Sequence, residues 1–320
     1  MLTEAATGPF CVTPVLAAAG GAEVVYAMAR DSVYGTAAEA AGQVRQVAAA
    51  LGRGEDRIIV VADRGEIRHP IDVVTNAGMV RPIDADLLGK LSHAGAVTVM
   101  CEAWELRPGD IDVEYCERHG IPVAGVWEDF GGFNVFRSCG QLALKMCFDA
   151  GLEVAGNRLL VVSPDHFGPV IAAALRANGA VATVLASVAE LDRAGVAAAD
   201  GLVLADYTTS SELLSTGNSP SLHELAEWNP GLPVVQFTGS SSGGEMRRAG
   251  LRPYPGEELA ARRMARTLGH LGPRPVAYLN AMGLKVGELL WRRRLRGDGF
   301  GEYTALVQEL VPGAARAEAP

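Results

Sequence analysis

The chain has 320 residues, 49% hydrophobic and 20% charged, with a formal net charge of −9. That length predicts roughly two domains of about 150 residues, each with enough apolar material for a core. The acidic balance counts against nucleic acid or an anionic membrane as the main partner, and no uninterrupted apolar run of about 18 residues is present.

In chain order, apolar runs predict strands over Phe10–Pro14, Glu23–Ala29, Arg57–Ala62, Asp72–Thr75, Ala96–Cys101 and Ile121–Val126. Helical patterns lie between them, at Ala37–Leu51, Asp84–Leu91 and Asp110–His119, with Thr36 and Glu39 at capping-box spacing. Continuous apolar strands separated by helices predict a parallel sheet covered on both faces. Residues 131–156 read as one long helix. A second series follows, with strands at Arg158–Val162, Val181–Leu185, Gly201–Ala205 and Pro233–Phe237. Residues 240–250 read as a flexible polar loop, Gly256–His270 and Pro275–Leu295 as helices, and the tail from Pro312 as frayed. The expected fold is therefore α/β, with two doubly wound parallel-sheet domains. A flavodoxin-like domain (1–135 with the returning helices of 272–320) and a Rossmann-like domain (136–271) would enclose a cleft.

Two stretches carry a family resemblance. "GDIDVEYCERHGIPVAGV" (109–126) and "VAGNRLLVVSPDHFGPVIAAALRANGA" (154–180), with the long helix between them, resemble the D-2-hydroxyacid dehydrogenase family in order and spacing over residues 70 to 240. The resemblance implies a nicotinamide cofactor, NAD or NADP, on the second domain, held by Ser163, Asp165, His166, Phe167, Gly168 and Ser187. It also implies a homodimer. In that family the turn reads G-x-G-x-x-G, so that backbone N–H groups can approach a pyrophosphate. Here Ser163 and Asp165 replace two of the glycines and Gly168 alone remains. No acid stands at Ala186-Ser187, where one would hold a ribose diol. The family's catalytic Arg–Glu–His set does not carry over: Gln236 and Thr238 stand where the arginine is sought, Glu245 is a distant analogue, and His270 lies in another context.

Chemistry-bearing residues cluster instead after strands of the first domain. Asn76 and Arg81 follow one strand, and an arginine suits bidentate recognition of a carboxylate or phosphate. Glu102, Trp104 and Arg107 follow the next; a carboxylate beside an indole in apolar surroundings is suited to general acid–base work. Glu128 and Asp129 either face the substrate or favour a helix N-terminus. Lys285, on the last helix, is either a substrate or acid–base cation or half of an ion pair. Glu102, Lys285 and His166 are thus the candidate catalytic groups, and Asn76, Arg81, Trp104 and Arg107 the substrate contacts. Three readings stay open: an NAD(P)-dependent oxidoreductase of a small anionic metabolite, in a biosynthetic setting; a non-redox lyase, cyclase or hydrolase on the same frame; and a ligand-binding protein. Five cysteines with no C-x-x-C pair and no histidine at ligand spacing predict free thiols in a reducing cytoplasm and no metal.

Overall fold

The computed structural model describes residues 1–52 and 54–313, so the expected frayed tail lies, from residue 314, outside the described residues. The chain divides into two compact units, Met1–Val135 with Gly272–Pro320, and Phe136–Leu271.

The first unit begins with a three-residue strand, β1 (Leu2–Glu4), wholly buried. Phe10–Pro14, expected as a strand, is helical: Pro9 starts a 3-10 turn over Gly8–Cys11, where its missing N–H costs nothing, and α1 (Val12–Ala19) continues it. Next come β2 (Val25–Met28), α2 (Ala37–Leu51), β3 (Ile58–Val61), β4 (Ile71–Thr75), α3 (Ala85–Leu88), β5 (Leu91–Thr98), α4 (Val113–Arg118) and β6 (Val123–Val126). The Thr36–Glu39 capping box starts α2 as the spacing predicts, and Gly52, in the left-handed region, ends it. Alternating strand residues feed opposite faces. Leu2, Met28, Val74 and Val97 pack with Leu87 and Cys116 of α3 and α4, while Ala27 packs with Val15, Ala40 and Val44 of α1 and α2.

The second unit runs α5 (Arg137–Asp149), β7 (Arg158–Val162), α6 (Phe167–Ala177), β8 (Val181–Leu185), α7 (Arg193–Ala197), β9 (Gly201–Ala205), α8 (Leu222–Trp228), β10 (Pro233–Thr238), β11 (Ser241–Ser242), α9 (Gly243–Ala249), β12 (Arg252–Tyr254) and β13 (Glu258–Leu259). Two expectations fail here. The polar run 240–250 is a short strand and a helix, because Ser242 caps the backbone N–H of Glu245. Residues 256–270 form no α-helix: after the cis Tyr254-Pro255 bond the chain pairs β13 with β11, places Arg262 at positive φ, and makes only a 3-10 turn at Leu268–His270.

The chain then returns to the first unit through α10 (Pro273–Arg296) and β14 (Val307–Val311). A Cβ at Gly283 would fall 2.6 Å from the Met100 sulfur, and one at Gly287 2.5 Å from Val73, so these glycines let α10 lie directly on the sheet. Thr98 Oγ1 donates to the Gly283 carbonyl across that contact, 2.8 Å.

Both sheets are parallel and doubly wound, as expected, but their strand orders are exchanged. The first unit has the order β3-β2-β1-β4-β5-β6, with β14 antiparallel along β6, and the second β8-β7-β9-β10-β12. The former is the Rossmann order 3-2-1-4-5-6, the latter the flavodoxin order 2-1-3-4-5. Their switch points, where ligands of such sheets usually bind, are β1/β4 and β7/β9.

Candidate active site

In the first unit the carboxyl ends of β4, β5 and β6 gather most of the polar residues singled out in the sequence. Asn76 is buried and cross-links two strand ends: its N–H donates to the Thr98 carbonyl (3.0 Å) and its Oδ1 accepts from the Met100 N–H (2.7 Å). Arg81 and Arg107 converge on one carboxylate, Asp110 Oδ2, at 2.7 and 3.2 Å. All three side chains are half-buried, where charge is screened less than at the open surface.

After β5 the chain makes a 3-10 turn over Ala103–Glu105 that lies on β6. Gly125 permits this: a Cβ there would fall 2.7 Å from the Ala103 nitrogen and 2.9 Å from the Cys101 carbonyl. The Ala103 N–H donates to Gln308 of β14 at 2.6 Å, and Glu105 accepts from the Glu102 N–H at 3.1 Å. So fixed, Glu102 is 5% exposed and accepts from the Trp104 indole N–H (2.7 Å) and the Glu128 backbone N–H (3.3 Å). Glu128 is 4% exposed. Burial, then the charges of Glu105, Glu102 and Asp129, push its carboxyl well above the usual range. The Cys101 thiol is also pushed well up, by burial and then by Glu105, Glu128, Asp110 and Glu102, which places the acids and the arginine-bound Asp110 in one neighbourhood.

Two further groups belong to this edge. Glu4, at the end of β1, accepts from the Met79 N–H (3.2 Å), and burial raises its carboxyl despite that bond. Asn280 sits one turn before Gly283 on α10, which runs antiparallel to β4 and β5, and so lies toward their carboxyl ends. It is buried, and its Nδ2 has no hydrogen-bond partner among the described residues. Such an orphan costs about 1–3 kcal/mol.

Lys285 is not brought to Glu102. It donates to Glu288 (3.0 Å), lies 4.6 Å over the Tyr303 ring, and lines a cavity of about 830 Å³ with His69, Asp72 and Trp291. That cavity is bordered by the residues just before β1, β2 and β4, the opposite edge of the sheet. Sequence reasoning noticed Glu128 without choosing it, since an acid before a helix looks the same whether it caps or is buried. Asn280 carried no signal beyond its place three residues before the first of the two glycines in α10.

The second unit holds the loop expected to bind a cofactor. Gly168 fits the close helix–strand packing role: a Cβ there would fall 2.9 Å from Ser163 Cβ. Phe167 is fully buried, stacked on Phe136 (5.2 Å) and edge-on to Phe237 (5.4 Å), so it anchors the core. His166 is exposed at the start of α6, and Ser187 is half-buried after β8. An acid does reach that turn: Glu190 accepts from the Ala186 N–H at 3.3 Å. Asp165 decides the loop's chemistry. Its Oδ1 accepts from the Phe167 N–H (3.0 Å) and the Ser163 hydroxyl (3.0 Å), and its Oδ2 from the Tyr207 N–H beyond β9 (2.8 Å). With a carboxylate on those donors, the loop as it stands does not fit a pyrophosphate.

Among the described residues no cluster of three or more His, Cys, Asp or Glu could hold a metal ion, and no helix is long and apolar enough to cross a membrane.

No family model matches the chain, and no curated protein matches it. Solved structures do. A dipicolinate synthase subunit from Bacillus halodurans is 9% identical with a TM-score of 0.52, the match covering 90% of this chain and 96% of that one. NAD-dependent formate dehydrogenase from Staphylococcus aureus, solved in complex with NAD, is 10% identical with a TM-score of 0.50, covering 91% and 99%. At such identities the likeness is one of fold. The resemblance to D-2-hydroxyacid dehydrogenases read from the sequence is thus a shared mixed α/β fold, strongly diverged in sequence.

Proposed function

We propose that the protein is an NAD(P)-linked oxidoreductase acting on a small carboxylate-bearing metabolite. The observation that carries this is the buried Glu102–Glu128 pair next to the Arg81–Asp110–Arg107 cluster. The arginines anchor the substrate carboxylate. Glu128, whose carboxyl burial and three acidic neighbours push well above the usual range, delivers a proton to the substrate oxygen. Glu102 is held as an acceptor by Trp104 and the Glu128 N–H, and fixes where that proton is delivered. The orphan Nδ2 of Asn280 is an available donor to a substrate oxygen. The fold shared with a dehydrogenase solved with NAD supports a nicotinamide, NAD or NADP.

Asp165 specifically favours a second reading: a non-redox enzyme using the same acid pair, with no dinucleotide. One experiment separates the two. The purified chain is incubated with a panel of small 2-oxo and 2-hydroxy carboxylic acids in deuterated buffer, with and without NADH or NADPH. Nicotinamide absorbance and substrate NMR are followed together. Nicotinamide consumption that requires Glu128 supports the oxidoreductase. Substrate turnover or deuterium uptake that needs no nicotinamide establishes the second reading, and neither response overturns both.

A further inference from the structure

In the flavodoxin strand order the ligand crevice opens between the first and third strands, here β7 and β9. Asp165 spans that crevice. One oxygen takes the Phe167 N–H at the start of α6, and the other takes the Tyr207 N–H, 42 residues on and past the end of β9. Ser163, 4% exposed, holds the first oxygen from the strand side. These two backbone donors come from different strand ends and converge on one anion, which is the donor set a bound phosphate would use.

We propose that Asp165 is an internal occupant of a phosphate seat at the β7/β9 switch point, and that a pyrophosphate-bearing nucleotide binds this unit only by displacing it. The proposal deepens the oxidoreductase reading by stating how its cofactor site is controlled, and the seat itself is tested without a nicotinamide.

Displacement has a cost that depends on charge. Ionised Asp165 repels the incoming phosphate, and its neutral form does not. Burial raises the Asp165 carboxyl, with Asp206 adding to the rise, while the bonds from Tyr207, Phe167 and Ser163 oppose it. Asp206 is itself buried and held by the Thr208 and Thr209 N–H groups, 3.0 and 2.9 Å. Lower pH therefore favours the ligand through Asp165, and that dependence is lost when the residue is made neutral.

The experiment is calorimetric titration of the full chain and of Asp165→Asn with NADH, NADPH and inorganic pyrophosphate from mildly acidic to mildly alkaline pH. The expected result is about tenfold or tighter binding of pyrophosphate by the variant near neutral pH, with a shallower pH slope than the parent. If Asp165→Asn does not fold, Ser163→Ala loosens the carboxylate without removing its charge, and shifts affinity in the same direction by less. Equal affinities and equal pH slopes in parent and variant overturn the proposal. No binding of pyrophosphate by either protein also overturns it. Tighter pyrophosphate binding by the variant, with no uptake of NADH or NADPH by either protein, upholds the seat and refutes the oxidoreductase reading.

Discussion

The two units solve the same topological problem with the same device and then diverge. Each sheet reverses direction at a switch point, and each bridges it with its own carboxylate: Glu4 to the Met79 N–H between β1 and β4, Asp165 to the Tyr207 N–H between β7 and β9. In the second unit the polar groups around the bridge satisfy one another. Asp206 caps its own loop, and Gln236 is used by Ser241 and the Pro255 carbonyl. In the first unit the polar groups continue past the bridge to the ends of β5 and β6, where burial and acidic neighbours push the Glu128 carboxyl well above the usual range. A switch point therefore marks where a ligand can bind.

The sharpest way to break this comparison is Glu128→Gln. Activity should fall by about 10²–10⁴-fold, the usual contribution of a positioned acid. Stability should move the other way. Because the folded carboxyl lies above its unfolded value, its contribution is full below the unfolded value and is lost as pH rises through the folded one. Gln imitates the neutral form. The variant should thus melt higher than the parent at neutral and alkaline pH, with the gap closing in acid. Thermal melts across pH check this, and a variant less stable at alkaline pH would show that Glu128 is held ionised.

In the second unit the largest effect should be structural. Phe167→Ala removes a side chain packed against Phe136, Phe237 and Tyr207, and should cost about 3–5 kcal/mol by denaturant unfolding. That residue also shows the limits of the sequence. Within a turn that resembles a cofactor loop, Phe167 reads as a loop residue, yet it is a core anchor. Three strands of the second unit were legible as largely apolar runs, β7, β8 and β9 matching the expected ranges, whereas the short β11, β12 and β13 were not expected. β1 was not, since Leu2–Glu4 has three residues, two of them polar. Phe10–Pro14 is apolar enough for a strand, but Pro9 turns it into a helix start. In the candidate site, the structure brings Glu102 and Trp104 together and puts Arg81 and Arg107 on one acid. Lys285 is held instead by Glu288 and the Tyr303 ring, and lines the cavity bordered by the starts of β1, β2 and β4.

A smaller effect tests whether the first unit's site depends on backbone fit. In Gly125→Ala the new Cβ meets backbone atoms of Ala103 and Cys101, which cannot rotate away. The turn carrying Glu102 must lift from β6. The expected loss is about 1–3 kcal/mol of stability, with activity reduced more than that loss explains, as read by denaturant unfolding alongside turnover. Unchanged activity would show that Glu102 need not be held where it is.

The mildest change is Arg81→Lys. It keeps the charge and loses the fork that lets a guanidinium bind Asp110 and still present N–H groups to a substrate carboxylate. Arg107 retains its own bond to Asp110, so the turn at 107–110 should hold and stability should change by less than about 1 kcal/mol. If Arg81 anchors the substrate equally before and during reaction, KM rises by roughly tenfold while kcat stays within a few fold of the parent. If kcat falls and KM does not, Arg81 acts on the reacting centre and the anchor is Arg107 alone. That would move Arg81 from binding to catalysis, and would set the first unit still further apart from the second, where the carboxylates at the switch point are already held by their own loops.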